Sequence, residues 1–373
     1  MQILRLLPLL ILLISADRAY AHKASDGFLY LDLGANEPAT LQVELALRDL
    51  ALVIPLDQNR DRQVTGEELR LARPDILNYL QSHLTVLAST ARCQLIARQW
   101  GLTRHSDGPY AATRFQLDCP GNALPSTLQY HALFDQDGLH RGLLQVNQDG
   151  DIRLTALTPE HRSLTLDAPT SPVWSTLVSF LYEGIIHLLI GLDHLLFLLV
   201  IMLPATLISA RAPSSASDNR FLSGLRDLAA IVTAFTVAHS ITLALAVFKV
   251  VTPPIAWVEI IIALSVALAA LNIRWPVLGE KSWKLAFGFG LIHGFGFASV
   301  LAELTAGTTQ TVAALAGFNI GVEIGQLLVL AVTFPLLYLM GQRRWYREAA
   351  VPAVLVAIIG TSLFWVAERT AAI

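Results

Sequence analysis

The stretch HLLIGLDHLLFLL, residues 187–199, sets two histidines and an aspartate in a run otherwise made of Leu, Ile, Gly and Phe. A charged side chain at the centre of a bilayer costs about 2.5–3.5 kcal/mol on insertion scales, so such groups are kept where they satisfy one another or do chemistry. The rest of the 373-residue chain supports a membrane setting: it is 54% hydrophobic and only 15% charged, with a mean hydropathy of +0.54. A soluble domain does not need so apolar a composition. Net charge is −3, so no basic surface points to nucleic acid.

Six apolar segments can be drawn around this stretch, at about 176–203, 227–249, 255–273, 283–303, 311–339 and 349–367. Each is long enough to cross about 30 Å of hydrocarbon. The expected fold is therefore an α-helical bundle of six transmembrane helices over 172–373, preceded by a small β-rich, sandwich-like exported domain over 22–170. Residues 1–21 carry Arg5, a short Leu/Ile core and Ala19-Tyr20-Ala21, the pattern of a cleaved signal peptide. With the β-rich part outside, Arg211, Arg220, Arg226, Arg274, Lys281, Lys284, Arg343, Arg344 and Arg347 fall on the cytoplasmic side. The positive-inside rule then agrees with the signal peptide and predicts a bacterial inner-membrane protein with both termini outside.

The exported part reads as strands, with alternation in TLQVELAL, TRFQLDC, STLQYHALF and DIRLTAL, and as one helix near 66–83. Its two cysteines, Cys93 and Cys119, are expected to form a disulfide in an oxidising compartment. DQNRDRQVTGEE, residues 57–68, places Asp57, Asn59, Asp61, Thr65 and Glu68 at the ligand positions of an EF-hand calcium loop. Arg62 stands where that loop normally has glycine, and the competing role is an Asx-rich turn that caps the following helix.

The ionisable residues of the apolar segments are Glu183, His187, Asp193 and His194 in the first, His239 in the second, Glu259 in the third, His293 in the fourth and Glu323 in the fifth. Asn319 and Gln326 share the helical face of Glu323, as Glu183 and His187 share that of His194. His239, His293 and Glu323 are expected to meet near the bilayer midplane. On a straight helix His187 and His194 would be about 10 Å apart, so either the helix breaks at Gly191 or they serve successive positions. Asp193, about 100° from His194, is expected to orient a histidine on a neighbouring helix. Imidazoles with carboxylates suit Ni, Co, Zn or Cu. A single intramembrane histidine is often a packing residue, and GFGLIHGFGF (288–297) has the small-xxx-small pair Gly290 and Gly294. Four histidines with several carboxylates are poorly explained by packing alone.

HLLIGLDHLLFLL, FTVAHSITL, GLIHGFGFAS and FNIGVEIGQL together resemble the HupE/UreJ family of hydrogenase and urease accessory membrane proteins. The opening AHKASDGFL and the acidic loop resemble its longer branch, which carries an exported N-terminal domain. The resemblance implies nickel or cobalt permeation and service to a metalloenzyme maturation system. The family's His-Pro-x-x-Gly-x-Asp-His signature falls on His187, Gly191, Asp193 and His194, with Leu188 in place of the proline.

The function expected from sequence is a permease for a divalent transition metal, with His187, Asp193, His194, His239, His293 and Glu323 as the site. Glu183, Glu259, Asn319, Gln326 and His22 are further residues on the path. After cleavage, His22 would carry a free α-amino group beside its imidazole and so chelate metal at the outer face. The rival is an intramembrane zinc hydrolase with three histidines and a carboxylate base. A non-transporting assembly or sensor protein is the third alternative. The chain has no P-loop, so transport would be driven by a gradient or proceed by simple facilitation.

Overall fold

The computed structural model describes residues 26–34, 38–61, 63–105, 108–166, 172–209, 217–275, 282–305 and 310–371. The expected signal peptide, His22, Arg62 and residues 210–216 of the serine-rich loop lie outside them.

The N-terminal region runs β1 (Asp26–Asp32), β2 (Thr40–Ala46), the single turn α1 (Leu47–Leu50), α2 (Gly66–His83), β3 (Leu84–Ala88), β4 (Ala91–Arg92), β5 (Gln94–His105), β6 (Gly108–Asp118), β7 (Thr127–Tyr130), β8 (Arg141–Gln148), β9 (Asp151–Leu157) and β10 (Ser163–Thr165). Two sheets form, ordered β5-β6-β2-β1-β8-β9 and β10-β7-β3-β4. Leu29, Leu41, Val43, Phe115 and Leu144 of the first sheet and Val86 and Leu128 of the second share one buried core with Ile76 and Leu80 of α2. The Cys93–Cys119 disulfide is present.

Strand pairing is antiparallel except within the large sheet, where β1 and β8 are parallel and Asp26 stands beside Arg141. Strict alternation also fails there: Asp26–Leu29 and Arg141–Leu144 are buried at every position. The cause is a second covered face. Phe28, Ala46, Tyr110, Leu143 and Leu154 join a cluster with Phe180, Leu188 and other apolar residues of the helical region. A strand covered on both sides reads as a continuous apolar run.

The helical region comprises α3 (Pro172–Ile190), α4 (Leu192–Ser209), α5 (Ser217–Val247), α6 (Ile255–Arg274), α7 (Ser282–His293), α8 (Ala298–Leu304), α9 (Thr311–Gly341), a π-turn at Tyr346–Ala350 and α10 (Val351–Ala371). Among the described residues, five stretches are long and apolar enough to cross a membrane: Val173–Ile190, Phe221–Val247, Ile255–Arg274, Thr311–Gly341 and Tyr346–Ala371. The chain is thus a multi-pass membrane protein. Two of the six segments drawn from sequence are not single helices. The first divides at Gly191 and the fourth at the turn Gly294–Phe297.

Glycines set the helix packing. A Cβ on Gly317 or Gly321 of α9 would strike the main-chain carbonyl of Leu177 or Leu181 in α3. Gly341 meets Thr206 of α4 in the same way. Contacts that advance together along both chains mean that α3 and α4 lie end to end along α9 and run parallel to it. Gly290 against Phe235, then Gly294 against His239, pair α7 with α5 in parallel as well. These are backbone approaches that only small residues permit.

Candidate metal centre

Gly191 decides the geometry of the opening stretch. A Cβ there would lie 2.9 Å from both the His187 carbonyl and His194 Nδ1, so a larger residue would displace the imidazole. With the helix interrupted, the His187 and His194 rings come to 5.2 Å between centroids, about half the separation of a straight helix. The break at Gly191 is therefore the correct one of the two sequence alternatives.

His194 is the hub. Its ring lies 5.1 Å from that of His293 and 6.5 Å from that of His239. Asp193, His194 and His293 offer ligand atoms that all lie within 4.8 Å of one another, a spacing that can hold one metal ion. Asp193 does not reach a histidine on another helix as its hydrogen-bond partner. Its Oδ1 accepts from Nδ1 of the adjacent His194 at 3.1 Å and from the His194 main-chain N–H at 2.9 Å. The helix restarts at this point, and a carboxylate in its first turn accepts a free N–H.

The surrounding hydrogen bonds fix which imidazole nitrogens keep a lone pair. Asp193 Oδ1 accepts the hydrogen bond that His194 Nδ1–H donates. Asn319 Nδ2 donates to the Leu315 carbonyl at 2.8 Å, which turns its Oδ1 toward His239 Nδ1 at 3.1 Å. Ser265 donates to the Ile262 carbonyl at 2.7 Å and so accepts from His293 Nε2 at 3.2 Å. The opposite nitrogens, His194 Nε2, His239 Nε2 and His293 Nδ1, are buried and have no hydrogen-bond partner. Buried polar atoms are nearly always satisfied, and a histidine anchored through one nitrogen with the other bare is the usual preparation of a metal ligand.

The remaining predicted residues divide by place. His187 lines the same cavity and packs against Phe297 and Phe318. Glu323 does not join the histidines: its Oε1 accepts from Thr233 at 2.6 Å. One turn of α9 separates it from Asn319, and that residue stands level with His239 instead. Gln326 accepts from Thr236 at 2.8 Å. His239–Asn319, Thr236–Gln326 and Thr233–Glu323 thus form polar rungs between α5 and α9 that continue away from the cluster. Glu183 is claimed by the N-terminal region, where Arg141 Nη1 donates to its Oε2 in a buried ion pair. Burial opposes the Arg141 charge, and the Glu183 and Asp26 carboxylates more than restore it, so its pKa is raised.

A cavity of about 280 Å3 joins the two regions. Asp26, Arg141, Glu259 and Arg369 line it together with His187, Asp193, His194 and His293. Sequence reasoning missed Ser265, Arg141, Arg369 and Asp26 as site residues. Ser265 and Arg369 carried a signal, as isolated polar groups in or at the end of apolar runs. Arg141 and Asp26 carried none, because only the tertiary fold brings them to the helices.

In the acidic loop, Glu68 and Thr65 form a capping box on α2, with Thr65 N–H donating to Glu68 Oε2 at 2.9 Å and Glu68 N–H to Thr65 Oγ1 at 3.3 Å. Glu68 Oε1 accepts from the main chain of Gln58 and Asn59. These bonds, those from Thr65 foremost, lower its pKa. Asp57 and Asn59 accept from the Asp61 N–H, and Arg60 takes the left-handed conformation at φ 62°.

A multi-pass helical protein with an imidazole–carboxylate cluster between its helices is the class defined by this geometry. The family profile described as HupE / UreJ protein matches residues 161–369, over half of the chain, and the protein belongs to that family. No curated protein sequence matches it. The separate β-rich region ahead of the matched part is consistent with the longer branch of the family.

Proposed function

We propose that the protein is a permease for a divalent transition metal, nickel or cobalt foremost. The observation that carries this reading is the trio of buried, partnerless imidazole nitrogens, each backed by a fixed hydrogen bond on the other side of its ring. Neutral imidazole with carboxylate suits Ni, Co and Zn over Mg or Ca. Asp193, His194 and His293 form the position reached from the cavity, His239 the next, and the rungs to Glu323 a continuation beyond it. Six spans fit this path, with α3–α4 and α7–α8 each crossing as a broken helix, the N-terminal region and C-terminus outside, and the protein in the inner membrane. A metalloenzyme maturation system would use the metal. His22 would lie four residues ahead of Asp26 at the cavity wall, within about 13 Å of extended chain.

The zinc-hydrolase reading also has an observation in its favour, since Asp193 beside two histidines is positioned as a base next to a metal-bound water would be. The polar rungs leading away from the cluster favour transport. Metal analysis of the purified protein followed by flux into proteoliposomes with Ni, Co, Zn, Cu and Mn tests the choice: flux of one or more ions supports the permease, and bound zinc without flux rejects it. A calcium ion in the 57–68 loop is a separate proposal, held by Asp57, Asn59, Asp61, Thr65 and Glu68. It requires Glu68 to release main-chain N–H groups, and a calcium-dependent rise in melting temperature that Asp61→Asn removes would support it.

A further inference from the structure

The cavity above the imidazoles carries two guanidinium groups in its wall beside the carboxylates of Asp26, Asp193 and Glu259. Arg141 and Arg369 both line it. Arg141 is matched by Glu183. Arg369 has no carboxylate partner among the described residues: its Nη1 donates to the main-chain carbonyl of Glu259 at 2.5 Å, and its guanidinium carbon lies 5.8 Å from the Trp365 ring centre. One carbonyl and one aromatic face fix the guanidinium yet leave most of its five N–H donors unspent. A fixed planar fork is matched to a carboxylate, and its charge repels a naked divalent ion.

A second observation concerns the metal position. Three ligands from Asp193, His194 and His293 leave one coordination position open in a tetrahedral ion and three in an octahedral one. Three waters would occupy about 90 Å3 of liquid volume. The cavity beside them is about 280 Å3, room for a ligand larger than water.

We propose that the metal enters this cavity as a complex with a small carboxylate chelator, whose carboxylate is held by Arg369 while its metal meets Asp193, His194 and His293. The inference rests on the metal-site reading above and adds the chemical form of the substrate. Ligand oxygens fill the positions that the protein leaves open, and the Arg369 charge becomes an attraction.

The test uses full-length protein in lipid nanodiscs, nickel as the probe, and citrate as the chelator, labelled with carbon-14. In wild type, nickel and citrate are retained together at about one to one, and citrate alone is not retained. Arg369→Gln lowers citrate retention at least tenfold and, by removing a positive charge from the cavity wall, raises the affinity for nickel added without citrate. Arg369→Lys, which keeps the charge and loses the fork, retains an intermediate amount and serves if Arg369→Gln does not fold. Nickel bound with no citrate, or citrate retention unaffected by either substitution, overturns the proposal and leaves the metal site standing. Failure of the wild type to bind nickel, cobalt or zinc in any form overturns the metal-site reading and this inference with it.

Discussion

Ser265 hands its hydroxyl proton to the carbonyl of Ile262 and therefore receives the Nε2 proton of His293, at 3.2 Å across two helices. That small commitment is what leaves His293 Nδ1 bare. Ser265→Ala should weaken metal binding about 10–100-fold, the usual effect of removing a group that orients a ligand, with the protein still folded. Asn319→Leu should do the same through His239. Ser362→Ala, at another buried serine outside the cluster, should leave affinity unchanged. Metal titration of the three purified variants separates these outcomes.

The ion pair between Arg141 and Glu183 is buried on both sides, at 6% and 5% side-chain exposure. Arg141→Leu should cost about 3–5 kcal/mol, because it strands the buried Glu183 carboxylate, and Glu183→Leu should cost less, because Asp26 remains beside Arg141. The double substitution should lie closer to wild type than Arg141→Leu. Thermal melting of the full-length protein is the measurement, and equal losses in all three variants would argue against the pair.

Glycines at the parallel helix contacts should be intolerant. Gly184→Ala and Gly321→Ala place a methyl group against the facing backbone and should destabilise by about 1–3 kcal/mol or more. Gly288→Ala and Gly360→Ala meet nothing within 4 Å and should be neutral or slightly stabilising, given the helix preference for alanine. The amount of each variant surviving a heat step in detergent ranks them.

His140 is fully buried against Tyr130, whose hydroxyl lies 2.6 Å from its Nε2. Burial lowers its pKa from the ordinary 6.5 to about 4. Between those values the unfolded chain takes up a proton that the folded one refuses. Stability contributed by neutral His140 is therefore complete above pH 6.5 and falls as pH drops toward 4, by at most about 3 kcal/mol. His140→Gln should flatten the melting-temperature profile over that window.

Legibility in the sequence followed locality. Membrane residence, the β-rich region, α2 and the disulfide could be read from composition, periodicity and cysteine context. The histidines could be singled out because each is costly in an apolar run. Their grouping was readable only in part, since Glu323 and Asn319 share a face and nothing local says which stands level with His239. The helix break at Gly191 was one of two readings; steric conflict with His187 and His194 selects it. Arg141 lay beyond reach because its partner Glu183 is on α3, and only the parallel β1–β8 pairing sets Asp26 beside it.

The parallel alignment of α3–α4 with α9 has a consequence for biosynthesis. His194, His239, His293 and Asn319 come from four different spans, and the last is made well over a hundred residues after the first. No nascent chain that ends before His293 can bring Asp193, His194 and His293 together, and His239 gains its Asn319 partner only when α9 is made. The first span must meanwhile wait in the bilayer with its polar residues only partly matched. Arg141 precedes that span in the chain, so the partner of Glu183 has already been synthesised when the span arrives.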